Sequence, residues 1–323
     1  MHSHHRLSIA PMIDWTDRHE RYFLRLITKR ALLYTEMITT HAILHGDKNR
    51  LLDFSAEEHP VALQLGGNDP AALAHCTKIA DEWGYDEINL NVGCPSDRVQ
   101  QGAFGACLMR EPQLIAECIS AMQAATNKPV TIKCRLGVDE QNPEDTLPPF
   151  IETAANAGAK IFIIHARKAW LKGLSPKENR TVPPLDYELV FQIKKMFPDL
   201  TIILNGGITD IEQGVEYLDI LNGVMIGREA YQNPYALSVV DALYFSDAHP
   251  PLDRYEILKA YCAYMEKQLT LGVPLHCMTR HILGLYKGQP GGRIWRQWMS
   301  ELLSKQSDPI QALLTTAEQL SQE

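Results

Sequence analysis

The sequence predicts an eight-stranded parallel α/β barrel, a (β/α)8 fold of the TIM-barrel class, followed by a small all-helical domain. Three observations carry the prediction. Short apolar, β-rich runs recur eight times between residues 7 and 227. Segments with helical spacing lie between most of them, and strands alternating with helices imply a parallel sheet. The GxGxxG turn that usually follows the first strand of an open doubly wound sheet is missing, because the chain there reads APMIDWTD.

In order, the runs are LSIAPM (7–12), LLYTEM (32–37), VALQLGG (61–67), EINLNVG (87–93), VTIKCRLG (130–137), IFIIHAR (161–167), TIILNGG (201–207) and GVMIG (223–227). Several are almost continuously apolar, as strands covered on both faces should be. Pro70 to Gly84 reads as a helix with Leu73, Cys76, Ile79 and Ala80 on its buried side. Pro112 to Thr126 repeats the pattern with Leu114, Ile115, Cys118, Ile119 and Met122. After Ser246 the character changes. DAHPP (247–251) reads as a linker, and helical patterns follow at 255–271, 276–286, 292–304 and 309–321. The expected division is a barrel domain at 1–245 and a helical domain at 246–323.

Composition excludes several classes. At 45% hydrophobic and 22% charged, the chain can bury a sizeable core. No apolar run approaches the roughly 18 residues of a membrane span. MHSHHR is not followed by the apolar stretch of a secretory signal, so a cytoplasmic protein without a membrane partner is expected. Seven cysteines, an odd number with no CxxC pair, argue for reduced thiols and against a disulfide framework or a zinc site. Apart from Cys94, they read as small buried hydrophobes. His2, His4 and His5 form a short tract on a terminus expected to be mobile, and no metal site is expected there. The net charge of −8 points away from a polyanionic partner. Its distribution differs. Lys160 to Lys177 holds Arg167, Lys168 and Lys172 without one acidic residue, and His276 to Ser300 holds Arg280, Lys287, Arg293 and Arg296 likewise. Such segments can contact phosphates; two ordinary solvated faces fit the same counts.

In this fold chemistry sits at the C-terminal ends of the strands. Gln64 ends the third run. Asn89 and Asn91 share a face of the fourth, and Lys133 and Arg135 a face of the fifth. His165 and Arg167 end the sixth, Asn205-Gly206-Gly207 the seventh, and Gly227-Arg228 the eighth. Each unpaired buried polar group would cost roughly 1–3 kcal/mol, so packing alone does not account for so many. Glycines after strands 7 and 8 let backbone N–H groups approach a phosphate, and Arg228 adds a charge. A phosphate site with an amide, an amine and an imidazole beside it suits flavin mononucleotide (FMN). A phosphosugar enzyme fits the same spacing. Cys94 follows strand 4 directly in NVGCP, where a thiol can donate a proton or act as a nucleophile.

APMIDWTDR (10–18), EINLNVGCPSDRVQ (87–100), HARKAW (165–170), LNGGI (204–208) and GREAYQNP (227–234) together resemble the tRNA-dihydrouridine synthases. HARKAWLKGLSPKENR (165–180) is similar to their bacterial A subfamily in particular. The resemblance covers essentially the whole chain. It implies a barrel that holds FMN, a helical domain that binds tRNA, and NADPH as the reductant of the flavin. It implies hydride transfer to C6 of a uracil, with Cys94 protonating C5. It implies FMN contacts on Pro11, Met12, Gln64, Lys133, His165, Asn205, Gly206, Gly207, Gly227 and Arg228. Asn91 is implied to face the uracil, and D-loop positions 20 and 20a are the implied targets. A uracil stacked in an RNA loop has to be pulled out to meet a flavin. Arg135 or Lys133 is a candidate for stabilising the charge that builds on the uracil. Lys168, Lys172, Lys177 and Arg180 near the mouth, with Arg280, Arg293 and Arg296 on the helical domain, are candidates for the tRNA backbone. Trp295 and Trp298 read as core. The expected partner is tRNA rather than DNA, and the expected state a monomer. Two other readings compete: a flavin reductase of a free small molecule, which needs no basic helical tail, and a tRNA-binding protein with an idle barrel.

Overall fold

The computed structural model describes residues 3–301 and 303–321; His2 therefore lies outside the described residues. Eight parallel strands close a barrel in sequence order: β1 (Leu7–Ile9), β2 (Leu32–Thr39), β3 (Val61–Gly66), β4 (Glu87–Val92), β5 (Val130–Arg135), β6 (Ile161–His165), β7 (Thr201–Asn205) and β8 (Gly223–Ile226). Each starts at the first residue of a predicted run. β1 stops early: Ala10 N still bonds Ile226 O at 2.8 Å, but Pro11 has no N–H to continue the ladder.

The longer helices around the barrel are α1 (Arg18–Ile27), α2 (Pro70–Trp83), α3 (Pro112–Ala124), α4 (Pro143–Asn156) and α5 (Tyr187–Met196). Asp69 caps α2 through Ala72 N, Pro70 fits its first turn, and Gly84 ends it at φ +91°. Between β7 and β8 the chain makes only a 3₁₀ turn, Gln213–Asp219. The C-terminal helical region contains α6 (Arg254–Thr270), α7 (Gly292–Glu301) and α8 (Pro309–Ser321). The expected helix at 276–286 is split into a short α-helix, Leu275–Thr279, and a 3₁₀ segment, Arg280–Gly284. Among the described residues no helix is long and apolar enough to cross a membrane.

Alternation along each strand divides the side chains into two sets. The outward set packs against the helices. The inward set is apolar on one side of the barrel, with Ile161, Ile163, Ile203, Met225, Leu32 and Ala62 in one buried cluster. On the β4–β5 side the inward positions are Glu87, Asn89, Asn91, Thr131, Lys133 and Arg135. The N-terminal tract is not a free arm. Ser3–Arg6 forms a 3₁₀ turn, and His5, 3% exposed, reaches Glu87 at 3.1 Å.

The C-terminal helices seat on α1. Tyr22 stacks on Tyr264 with centroids 3.9 Å apart, and His19 Nδ1 lies 2.7 Å from the Tyr264 hydroxyl. Asp17 caps α1 and also meets Arg280 at 2.5 Å and His281 at 3.0 Å. His281 faces Glu20 on its other side at 3.3 Å. Arg280 was a candidate phosphate contact; its charge is instead committed to Asp17. Trp295 is fully buried, as expected, and donates to Ile282 O at 3.0 Å.

Candidate active site

The Cys94 loop is built by Asn91. Its Oδ1 accepts from Gly93 N at 3.1 Å and Cys94 N at 2.9 Å, closing a tight turn at the end of β4. Cys94 O accepts from Ala106 N at 2.9 Å, and the half-buried thiol lies 3.5 Å from Ser96 Oγ. The other cysteines differ. Burial pushes Cys76 up to about 11, and Cys118, Cys134 and Cys262 up to about 12, as inert core thiols. Cys107 and Cys277 are only partly buried, contrary to the expectation for them; Cys277 sits in the short helix Leu275–Thr279, away from the barrel core.

Register brings the polar strand ends into adjoining rows. Asn91 pairs with Lys133, Arg135 with His165, and His165 with Asn205. Lys133 reaches across to Asn205 Oδ1 at 2.9 Å, and Asn205 Nδ2 is held by Met225 O at 2.8 Å. Burial, reinforced by Arg135, lowers Lys133 to about 8, while Cys94 counts among the groups that raise it. Burial lowers Arg135 to about 10. Burial and the surrounding cations push His165 well below its usual range, which leaves a neutral imidazole at neutral pH.

Arg135 departs from its expected role. Its guanidinium donates to Gly93 O at 3.2 Å, Lys168 O at 3.3 Å and Asn179 O at 2.7 Å. It stitches the Cys94 loop to the loop after β6, and only part of its donor set remains for a ligand. In that β6 loop Lys168 lies over the Trp170 ring at 5.3 Å, and Lys177 and Arg180 are exposed. Arg293 and Arg296 are exposed on α7, in the C-terminal helical region rather than on the barrel.

At the tops of β7 and β8 the backbone forms a cradle. Gly206 and Gly207 have φ of +106° and +72°, and a Cβ on Gly206 would come within 2.4 Å of His165 Cδ2. Gly227 faces the β1 turn; a Cβ there would stand 3.9 Å from Ala10 and from the Met12 sulfur. Pro11 and Met12 thus border the same mouth. Arg228 acts electrostatically on both Arg167 and Arg180, and Arg167 Nε is buried without a hydrogen-bond partner among the described residues. The lysine and arginine ion pairs among the described residues involve Arg18, Arg21, Arg30, Arg110, Arg280 and Lys287. None involves Lys133, Arg135, Arg167, Arg180 or Arg228. Five cations therefore share one mouth with no carboxylate among the described residues to neutralise them. That is a costly arrangement unless an anion completes it.

Sequence reasoning missed Glu87 and Thr131. Both lie inside the barrel, below the mouth, at positions alternating with Asn89, Asn91 and Lys133. That alternation was the available signal.

Residues 8–322 match the dihydrouridine synthase (Dus) family. A tRNA-dihydrouridine(20/20a) synthase of Shewanella oneidensis is 55% identical over 306 residues, 95% of this chain and 91% of that protein. The protein of the same name from Synechocystis is 57% identical over 295 residues, 91% of this chain and 88% of its own. An Escherichia coli counterpart is 55% identical over 309 residues, 95% and 89% respectively. Among solved structures the fold is similar to morphinone reductase, with a TM-score of 0.53, 12% identity, and 77% of this chain and 87% of that one covered. It is also similar to an old yellow enzyme homologue from Zymomonas mobilis, with a TM-score of 0.54, 13% identity, and 78% and 91% covered.

Proposed function

The chain belongs to the dihydrouridine synthase family and is an oxidoreductase, and we propose that it reduces uridines 20 and 20a of the tRNA D-loop with a bound FMN and NADPH as the electron source. The observation that carries this reading is the mouth itself: unpaired cations around a glycine-lined cradle, with a half-buried cysteine on its rim. These residues suit FMN. The Gly206-Gly207 backbone, with Gly227 and Arg228 on the neighbouring strand end, offers a phosphate both N–H groups and charge. Lys133 offers a cation to the flavin ring, neutral His165 a hydrogen-bonding nitrogen, Asn205 and Gln64 amides, and Pro11 and Met12 an apolar edge. Hydride delivery to C6 of the uracil is the chemistry that the reduced flavin supplies when bound.

The remaining work belongs to the protein. Cys94 holds the proton for uracil C5, on a loop fixed by the Asn91 turn and by Arg135. Asn91 uses one Nδ2 hydrogen on Gln64 and keeps the other for a polar edge of the uracil. Charge that builds on the uracil oxygens is met by Lys133 and by what remains of the Arg135 donor set. Lys168, Lys177 and Arg180 at the mouth, and Arg293 and Arg296 on α7, hold the tRNA backbone on both sides of the flipped base. We place the division of the chain at 245/246, with barrel and tRNA-binding helices on either side, in a cytoplasmic monomer.

The test incubates the whole protein with FMN, NADPH and tRNA from cells that lack the activity, then maps modified nucleosides by mass spectrometry. A gain of about two mass units at position 20 or 20a is expected, from one hydride and one proton. A protein that binds flavin yet modifies no uridine at any position would move the reading to a small-molecule reductase.

A further inference from the structure

One buried acid plays no part in the reaction described above. Glu87 starts β4 at the closed end of the barrel, 2% exposed. Its Oε2 faces His5 Nε2 at 3.1 Å, and its Oε1 accepts from the Tyr34 hydroxyl and, at 2.6 Å, from Thr131 Oγ1. Burial and the neighbouring Glu87 push the Tyr34 phenol well up, so it stays a donor. From Thr131 a single line of hydrogen bonds climbs the barrel interior. Asn89 Nδ2 donates to Thr131 Oγ1 at 2.8 Å, and Gln64 Nε2 to Asn89 Oδ1 at 2.8 Å. Asn91 Nδ2 donates to Gln64 Oε1 at 2.9 Å, and Asn91 Oδ1 takes the N–H groups of Gly93 and Cys94.

We propose that Glu87 is a positioning residue for Cys94, setting through Thr131, Asn89, Gln64 and Asn91 the hydrogen-bond direction that holds the Cys94 loop. Each amide in this line has a donor end and an acceptor end, and flipping one forces the next. A carboxylate only accepts. Thr131 must therefore give its one hydrogen to Glu87 and can only receive from Asn89. The same logic passes to Gln64 and to Asn91, whose oxygen is left facing the loop. At the top the constraint is reversed, since backbone N–H groups only donate. Both ends demand one direction, and the line satisfies both. Reversed, it would set Asn91 Nδ2 against two N–H groups, and the loop would lose its anchor. An interior layer of apolar residues, as found on the β6–β8 side, would pack without this constraint. The polar line is the more expensive choice unless it is complete.

The inference rests on Cys94 as the proton donor only for its catalytic meaning, and it is tested first without the flavin. Thr131→Val keeps the shape and removes the hydroxyl; Thr131→Ser keeps the hydroxyl and removes the methyl. In the apoprotein, alkylation of Cys94 by iodoacetamide is followed by peptide mass spectrometry across pH, with Cys277 as the reference thiol. T131V should raise the Cys94 rate at least fivefold and leave Cys277 unchanged, while T131S stays within twofold of wild type. In single-turnover dihydrouridine formation at saturating flavin, T131V should be at least tenfold slower and T131S near wild type. A T131V protein that alkylates like wild type overturns the proposal. So does T131S moving as far as T131V, which would make the methyl and not the hydroxyl the active part. Where T131V does not fold, T131S alone decides, and a Cys94 shift beyond twofold overturns the proposal. Alkylation that follows the expected order in a protein forming no dihydrouridine would sink the proposed reaction and leave the positioning line standing.

Discussion

Buried charge is handled in two opposite ways in this molecule. Around α1 cations and carboxylates are set against one another. Arg21 meets Glu58 at 2.7 Å with both side chains almost fully buried, and His281 is sandwiched between Asp17 and Glu20. Against the cost of burial, His281 and Arg280 hold the Asp17 carboxyl below the usual carboxylate range; Glu20, fully buried, is pushed well above it. At the barrel mouth Lys133, Arg135, Arg167, Arg180 and Arg228 have no carboxylate partner among the described residues, and burial drags Lys133 down to about 8. The charges around α1 are spent on holding that helix to its neighbours. The mouth keeps its charges for something that arrives later. Sites that break the local rules of stability in this way are where function is expected.

Cys94→Ala should have the largest effect. Loss of a general acid costs about 10²–10⁴-fold in product formation, with flavin and tRNA binding retained. Dihydrouridine formation at the wild-type rate would remove Cys94 from the chemistry. Next is Arg21→Met on α1. It strands Glu58 without its cation and should cost about 3–5 kcal/mol in urea unfolding of the apoprotein; a loss under about 1 kcal/mol would make this pair no different from a surface bridge.

The same kind of substitution at the mouth should act with the opposite sign. Lys133→Met removes an unpaired cation, and the apoprotein should gain on the order of 2 kcal/mol at neutral pH. The sign follows from linkage. The folded value for Lys133 lies near 8 and the unfolded value near 10.5, so between them the unfolded chain binds more protons and wild-type stability rises with pH. The advantage of Lys133→Met is therefore complete below about pH 8 and fades towards 10.5. A variant less stable than wild type at pH 7 would mean that the bond to Asn205 outweighs the burial of the charge. The smallest effects belong to Arg293→Ala and Arg296→Ala. Each should lower the slope of log affinity for tRNA against log salt by about 1 without touching the chemistry. An unchanged slope would return them to a solvated face.

Much of this was readable from the chain. Strands covered on both faces leave continuous apolar runs, and all eight strands start where those runs start. Polar residues at strand ends marked the mouth from Gln64 to Arg228. What escaped was whatever depends on closure or on distant pairing. Glu87 was not singled out in its run, and only the closed barrel brings His5, Tyr34 and Thr131 onto it. Arg280 looked like a free cation because counting charge along a segment cannot see Asp17, 263 residues away. Arg135 looked available, but its donors go to carbonyls of two loops that the linear sequence keeps apart. The helix at 276–286 kept its apolar spacing but not its regularity, since Arg280 and His281 turn toward α1.

The most direct test of the contrast between the two regions is calorimetric titration of FMN into the flavin-free protein. Wild type should bind, and Lys133→Met should bind at least tenfold more weakly despite being the more stable protein. Equal affinity for the two would contradict the assignment of the unpaired mouth cations to the flavin.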